Sequence, residues 1–166
     1  MEISEGEFYS MATEIARNST NAKFLGKSPA LLLPLERAGK GREEYYQALL
    51  HRIKDNKTRT GYIFSLPYMI SEISRMNKKA AGEVLENWKN LANNANSKNF
   101  DFRFVDAAFT PCIIGDKKIL LKKEGKRHVI SCDVKGAENL LKESAAVLKQ
   151  SSAGHGKIIK EILRTL

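Results

Sequence analysis

The residues of this chain that could do chemistry are few: three histidines, two cysteines and a dense run of lysines. Cys112 and Cys132 lie in apolar runs, where a cysteine is usually a reduced core residue rather than a redox centre. There is no Cys-x-x-Cys, no His-Glu-x-x-His and no cysteine–histidine cluster, so neither a metal nor a cofactor is predicted. His51 and His128 have no Ser, Cys or carboxylate at a spacing that suggests a triad. The lysines say more. Lys117, Lys118, Lys122, Lys123, Lys126 and Arg127 crowd one hairpin with its turn at Lys122–Arg127, opposed there only by Asp116 and Glu124. Such a turn can track a phosphate backbone through charge. It can also be a solvated hairpin whose lysines keep an edge from pairing with other chains. No aromatic is interleaved to stack on bases.

The elements that must hold these residues follow from periodicity. Helical spacing over 4–17 opens the chain, and Asn18-Ser-Thr-Asn21 ends it, because these side chains compete for the backbone. A strand over Ala22–Leu33, interrupted near Gly26–Pro29, stops at Pro34. A helix over 42–55 with a Tyr45, Leu49, Ile53 stripe leads to a buried-type strand, Thr60–Leu66. One long helix is predicted over Ser71–Asn93, with Ser71 as its cap. Phe100–Val105 alternates as a half-buried strand, and Thr110–Leu121 and His128–Val134 make a hairpin. A helix follows Gly136, the chain breaks at Ser151–Gly154, and Lys157–Leu166 carries a last helical stripe. The order predicts an α/β fold with a mixed sheet flanked by helices. It forms one domain over 1–150 with an N-terminal helix, then a linker and C-terminal helix over 151–166.

Composition bounds the function classes. With 42% hydrophobic and 28% charged residues the chain can bury a core, so disorder is not expected. The formal net charge of +9 favours an anionic partner. No apolar run reaches the ~18–20 residues of a membrane span. The acidic start, Met-Glu-Ile-Ser-Glu, lacks the features of a signal peptide, so a cytoplasmic location is expected.

Residues 109–116 read Phe-Thr-Pro-Cys-Ile-Ile-Gly-Asp. Together with the element order over about 20–150, this segment resembles the signature region of one half of a phospholipase D-like domain. The family's signature is His-x-Lys-(x)4-Asp; here Phe109 takes the place of His, Pro111 that of Lys, and Asp116 alone matches. The resemblance implies two halves meeting on a twofold axis, hence a homodimer. It also implies no catalytic residue, since Phe109 cannot attack phosphorus and Pro111 cannot neutralise charge. His155-Gly-Lys157 offers His-x-Lys, but Ile162 stands where Asp would be, and the triplet reads as a surface linker. The loops Pro34–Arg37 and Ser65–Tyr68 fall at strand C-termini, where α/β sheets bind ligands. Arg37, Ser65, Tyr68, Phe109 and Asp116 are therefore the expected lining of a vacated site.

Degenerate members of the family include effector domains of archaeal transcription regulators. The resemblance thus implies a non-catalytic ligand-sensing or regulatory domain that takes a small-molecule effector. The alternative is a nucleic-acid-binding or nucleic-acid-processing protein that uses the basic hairpin 117–127.

Overall fold

The computed structural model describes residues 1–26, 40–55, 57–94, 98–106, 109–132 and 137–150. Arg37, the strand continuation beyond Gly26, the His155–Lys157 triplet and the expected terminal helix lie outside the described residues. In chain order the elements are β1 (Glu2–Ile3), α1 (Glu5–Asn18), β2 (Asn21–Gly26), α2 (Lys40–Lys54), β3 (Arg59–Ser65), α3 (Leu66–Ser74), α4 (Lys78–Asn94), β4 (Phe100–Val105), β5 (Cys112–Ile114), β6 (Lys118–Lys123), β7 (Lys126–Ser131) and α5 (Ala137–Gln150).

The strands form one mixed sheet in the order β1-β7-β6-β5-β2-β3-β4. β2, β3 and β4 run parallel, linked by crossovers through α2 and through α3–α4. β5 returns antiparallel beside β2, and β6, β7 and β1 continue antiparallel. Alternation along the strands builds two cores. Phe24, Tyr62, Phe64, Phe104 and Leu120 pack with Phe8, Ala12, Leu49, Ile53, Met69 and Val84 from the first four helices. Leu25, Ile63, Val105, Cys112, Ile119 and Leu121 pack with Ala137 and Val147 of α5. Each such large side chain contributes roughly 1.5–3 kcal/mol when fully buried.

Local chemistry sets the boundaries. α1 starts with a capping box: the Glu7 N–H donates to Ser4 Oγ at 3.2 Å and the Ser4 N–H to Glu7 Oε2 at 2.7 Å. The single helix expected over Ser71–Asn93 is two helices. α3 begins earlier, capped by Ser65 with Pro67 in its first turn, and Ser71 lies inside it. The break after Ser74 ends where Asn77 Oδ1 accepts the Ala80 N–H at 2.8 Å and restarts the helix. The strand expected over Thr110–Leu121 is likewise divided. The chain reverses after Ile114, with the Gly115 N–H donating to the Lys118 carbonyl at 2.9 Å. Gly-Asp is turn chemistry, and it prevails over the apolar run around it. No helix among the described residues is long and apolar enough to cross a membrane.

Candidate nucleic-acid interface

A basic hairpin forms, but Lys122, Lys123, Lys126 and Arg127, expected in its turn, lie in its strands β6 and β7, and most of its charge is already engaged. Its turn is Glu124-Gly125, both with positive φ (52° and 75°), the geometry of tight hairpin turns. Register places Lys122 opposite Arg127, on the face that packs on α1. There Arg127 meets Glu5 at 3.2 Å and Lys118 meets Glu14 at 3.1 Å. The Lys122 Nζ sits 5.2 Å and 5.6 Å from the Phe8 and Tyr9 ring centroids, a cation–π arrangement. On the other face Lys126 meets Glu2 at 3.2 Å. Exposed pairs like these add little stability, yet they cancel local potential. Among the described residues, only Lys117 and Lys123 of the six form no such contact.

A second set of cations, which shares only Lys117 with the six expected from the sequence, converges at one end of the sheet. The N-terminal ends of β2, β3 and β4 and the β5–β6 turn share one end of the sheet. Exposed there are Lys54 at the end of α2, Lys57 and Arg59 entering β3, Lys98 before β4, and Lys117 in the β5–β6 turn. Half-buried Lys23 lies one step further along β2. Four adjacent strands at ~4.8 Å spacing make this end about 14 Å wide. Among the described residues the side chains of Lys54, Lys57, Arg59 and Lys117 form no ion pair. The nearby acids are committed elsewhere. Asp55 Oδ1 accepts the Lys57 N–H at 2.8 Å, and Asp101 pairs with Arg103 at 3.5 Å.

Asp116 and Arg52 fasten this end. The Asp116 carboxylate accepts the backbone N–H groups of Thr20 at 2.7 Å and Asn21 at 3.1 Å, while its own N–H donates to Ser19 Oγ at 3.3 Å. Arg52 is 2% exposed. It donates to Thr60 Oγ1 and to the carbonyls of Ala16, Ser19, Thr20 and Arg59. Burial holds its pKa below the usual value, and the Asp116 and Asp55 carboxylates oppose that shift. The Arg59 N–H donates to the Thr20 carbonyl and the Thr60 N–H to the Asn99 carbonyl, both at 2.8 Å. The cationic loops are thereby held on a hydrogen-bonded base.

The expected vacated site is not gathered in one place. Ser65, Tyr68 and Phe109 lie at the C-terminal end of the parallel strands, but Asp116 lies at the opposite end. Register fixes this, because Cys112 pairs with Leu25 and Ile114 with Lys23, so β5 runs from one end towards the other. The span from Phe109 to Asp116 is on the order of 20 Å. Ser65 Oγ accepts the Tyr68 N–H at 3.4 Å, and Tyr68 is 40% exposed. Phe109, Leu25, Cys112 and Leu140 line a crevice with Thr110 and Glu143, where the Thr110 N–H donates to Glu143 Oε1 at 3.1 Å. About 160 Å³ of empty space, solvent included, lies in it. Small-molecule pockets usually hold ~300–1,000 Å³. Burial pushes the Cys112 thiol up to about 12, so it is an inert core group. His51 is exposed on α2 and His128 half-buried on β7.

No protein-family profile matches the chain, and no curated protein matches it. Among solved structures the chain is similar to TrmBL2, an archaeal chromatin protein whose structure shows a novel mode of DNA binding. The TM-score is 0.52 at 10% identity, over 89% of this chain and 50% of TrmBL2. The likeness is one of fold, and this chain spans about half of TrmBL2's length.

Proposed function

We propose that this domain is a non-catalytic nucleic-acid-associated domain that engages the sugar–phosphate backbone through its cationic sheet end. The observation that carries the reading is the convergence of Lys54, Lys57 and Arg59 of the α2–β3 connection, Lys98 before β4 and Lys117 of the β5–β6 turn, three separate chain segments, onto one end of the sheet. Backbone recognition needs such a placement of cations and no base-reading groups. The DNA binding described for TrmBL2 is compatible with it. The missing His and Lys at positions 109 and 111 argue against phosphodiester cleavage by the phospholipase D route, and a role beside DNA would put the chain in the cytoplasm or nucleoid.

The test is fluorescence anisotropy with a generic duplex at 50 and 200 mM salt. Engagement of about four phosphates gives a log–log slope near −3.6, so the fourfold rise in salt weakens binding about 150-fold. Lys57→Glu with Arg59→Glu brings the slope to about −1.8, while Lys123→Glu with Lys126→Glu changes it little. No measurable binding at 50 mM salt, or equal effects of the two pairs, would sink the proposal.

The ligand-sensing reading places an effector against Ser65, Tyr68 and Phe109. The crevice beside Phe109 is small for a metabolite and is not lined by Ser65 or Tyr68, and stabilisation in a thermal-shift screen that is abolished by Phe109→Arg would favour it. The homodimer implied by the phospholipase D-like resemblance is tested by sedimentation; a monomer at micromolar concentration removes the shared site and leaves the cationic end intact.

A further inference from the structure

We infer that Asp116 is an internal anion seated in a phosphate-type nest, and that a nucleic-acid phosphate competes with it for the Thr20 and Asn21 amides. This rests on the backbone-binding reading above and adds a built-in restraint on the same surface. Two successive backbone N–H groups converging on one carboxylate are the donor set that proteins offer to phosphate oxygens. Here the carboxylate is the chain's own, at 2.7 Å and 3.1 Å.

The surroundings fit an anion better than they fit a simple turn. The buried Arg52 guanidinium, whose partners among the described residues are carbonyls and a hydroxyl, donates to the Ser19 and Thr20 carbonyls of the same turn. Arg59 is tied to it through the Thr20 carbonyl, and Lys117 follows Asp116 directly. Thr20, Asn21 and Asp116 are all exposed, so a phosphate arriving from solvent reaches the same donors once the carboxylate leaves. Asp116 thus does two opposed things. It pins the β5–β6 turn to the α1–β2 turn, and it occupies the best anion site on the cationic end. Removing it is expected to strengthen duplex binding, the reverse of what loss of a recognition residue would do.

The experiment compares the wild type with Asp116→Ala, Asp116→Asn and a charge-matched control, Glu43→Gln, at the start of α2 on the far end of the sheet. In anisotropy with a generic duplex, Asp116→Ala is expected to bind about five- to tenfold tighter at low salt. Its salt slope steepens by ~0.9 as one more phosphate is engaged. Asp116→Asn keeps a side chain in the nest and gains no more than about twofold, like Glu43→Gln. A second arm uses inorganic phosphate alone: it raises the melting temperature of Asp116→Ala and leaves that of the wild type unchanged.

Binding by Asp116→Ala no tighter than by Glu43→Gln, in a protein that still melts cooperatively, overturns the inference. So does a phosphate arm in which Asp116→Ala is not stabilised. A wild type that ignores duplex, beside an Asp116→Ala variant that phosphate stabilises, defeats the proposed function and leaves the nest standing. If Asp116→Ala does not fold, Asp116→Ser drops the charge but keeps one acceptor at the turn. The serine variant then goes through both arms: tighter duplex binding and stabilisation by phosphate are expected, and the lack of either overturns the inference.

Discussion

Arg52→Met should cost more stability than any other single change at the cationic end. The guanidinium reaches Thr60 Oγ1 at 2.7 Å, the Ala16 carbonyl at 3.2 Å and the Arg59 carbonyl at 2.8 Å, and also the carbonyls of Ser19 and Thr20. Methionine fills much of the same volume and donates nothing. The Thr20 carbonyl keeps the Arg59 N–H as a donor, and the Arg59 carbonyl lies near enough to solvent for water to replace the lost bond. Three buried acceptors, on Ala16, Ser19 and Thr60, are left without this donor. At about 1 kcal/mol each for a buried group deprived of its partner, the loss is about 3 kcal/mol. That is a large part of the ~5–15 kcal/mol that holds a domain of this size. Urea unfolding followed by circular dichroism should show a midpoint lowered by roughly 1.5–2 M, taking a slope of ~1.5–2 kcal/mol/M. Arg52→Lys, which keeps the charge but not the fork, should fall between the two. A Met variant within 1 kcal/mol of the wild type would mean that water already satisfies this turn, and the case for a rigid cationic base would fail.

Four further outcomes follow from the same structure. Gly125 has φ of +75° with open space around its missing Cβ, so Gly125→Ala should cost about 1 kcal/mol in equilibrium unfolding while Gly125→Asn costs less. At Gly115 an added Cβ would meet Ser19 Oγ at 2.8 Å and the Ile15 side chain at 3.0 Å; Gly115→Ala should lose about 1–3 kcal/mol in the same assay. Burial, with Glu143 adding to it, pushes the Cys112 thiol from about 9.0 up to about 12. Below pH 9 folded and unfolded chains both hold that proton, and above it the unfolded chain releases it first, so stability falls by up to ~1.4 kcal/mol per pH unit between 9 and 12. Cys112→Ala should flatten that decline in urea melts taken at pH 8, 9 and 10. Finally, Glu5→Gln with Glu14→Gln should release Arg127 and Lys118 from their pairs and tighten duplex binding two- to fivefold in the anisotropy assay.

Much of the fold could be read from the sequence because short-range patterns decided it. Apolar alternation placed Phe100–Val105, and helical spacing placed α1, α2 and α5 within a few residues of where they lie. The misses share a cause. The Ser71–Asn93 stripe is continuous in hydrophobicity, but Ser65 and Asn77 each accept backbone N–H groups, and two capped helices prevail over one long one. The apolar run Thr110–Leu121 is interrupted by Gly115-Asp116, whose turn chemistry the periodicity does not register. β1 escaped notice because two residues carry no pattern; pairing with β7 creates it. For the site the limit was topology. The hairpin lysines are neighbours in sequence and so stood out, whereas the Lys54–Arg59 stretch, Lys98 and Lys117 are brought together only by the pairing of β3 with β2 and β4 and of β2 with β5.

A count of charges and a map of potential are therefore different statements about this chain. The +9 total treats Arg127 and Lys117 alike, yet the first faces Glu5 at 3.2 Å and the second faces water. What decides local potential is whether an acid lies within a few ångströms, and α1 brings Glu5 and Glu14 against the hairpin through tertiary packing. At the other end Asp116, next to Lys117 in the β5–β6 turn, spends its charge on two backbone amides. Such an acid weakens the surrounding field without pairing any lysine among the described residues, and in the proposed competition a stronger anion that uses the same donors displaces it. A carboxylate holding the turn and a phosphate bridging it are alternatives of similar chemistry, and the difference between them is set by how many neighbouring cations the phosphate can also reach. On the proposed reading Arg59 and Lys117 supply that difference, and the strength of backbone binding would follow the turn's geometry rather than net charge.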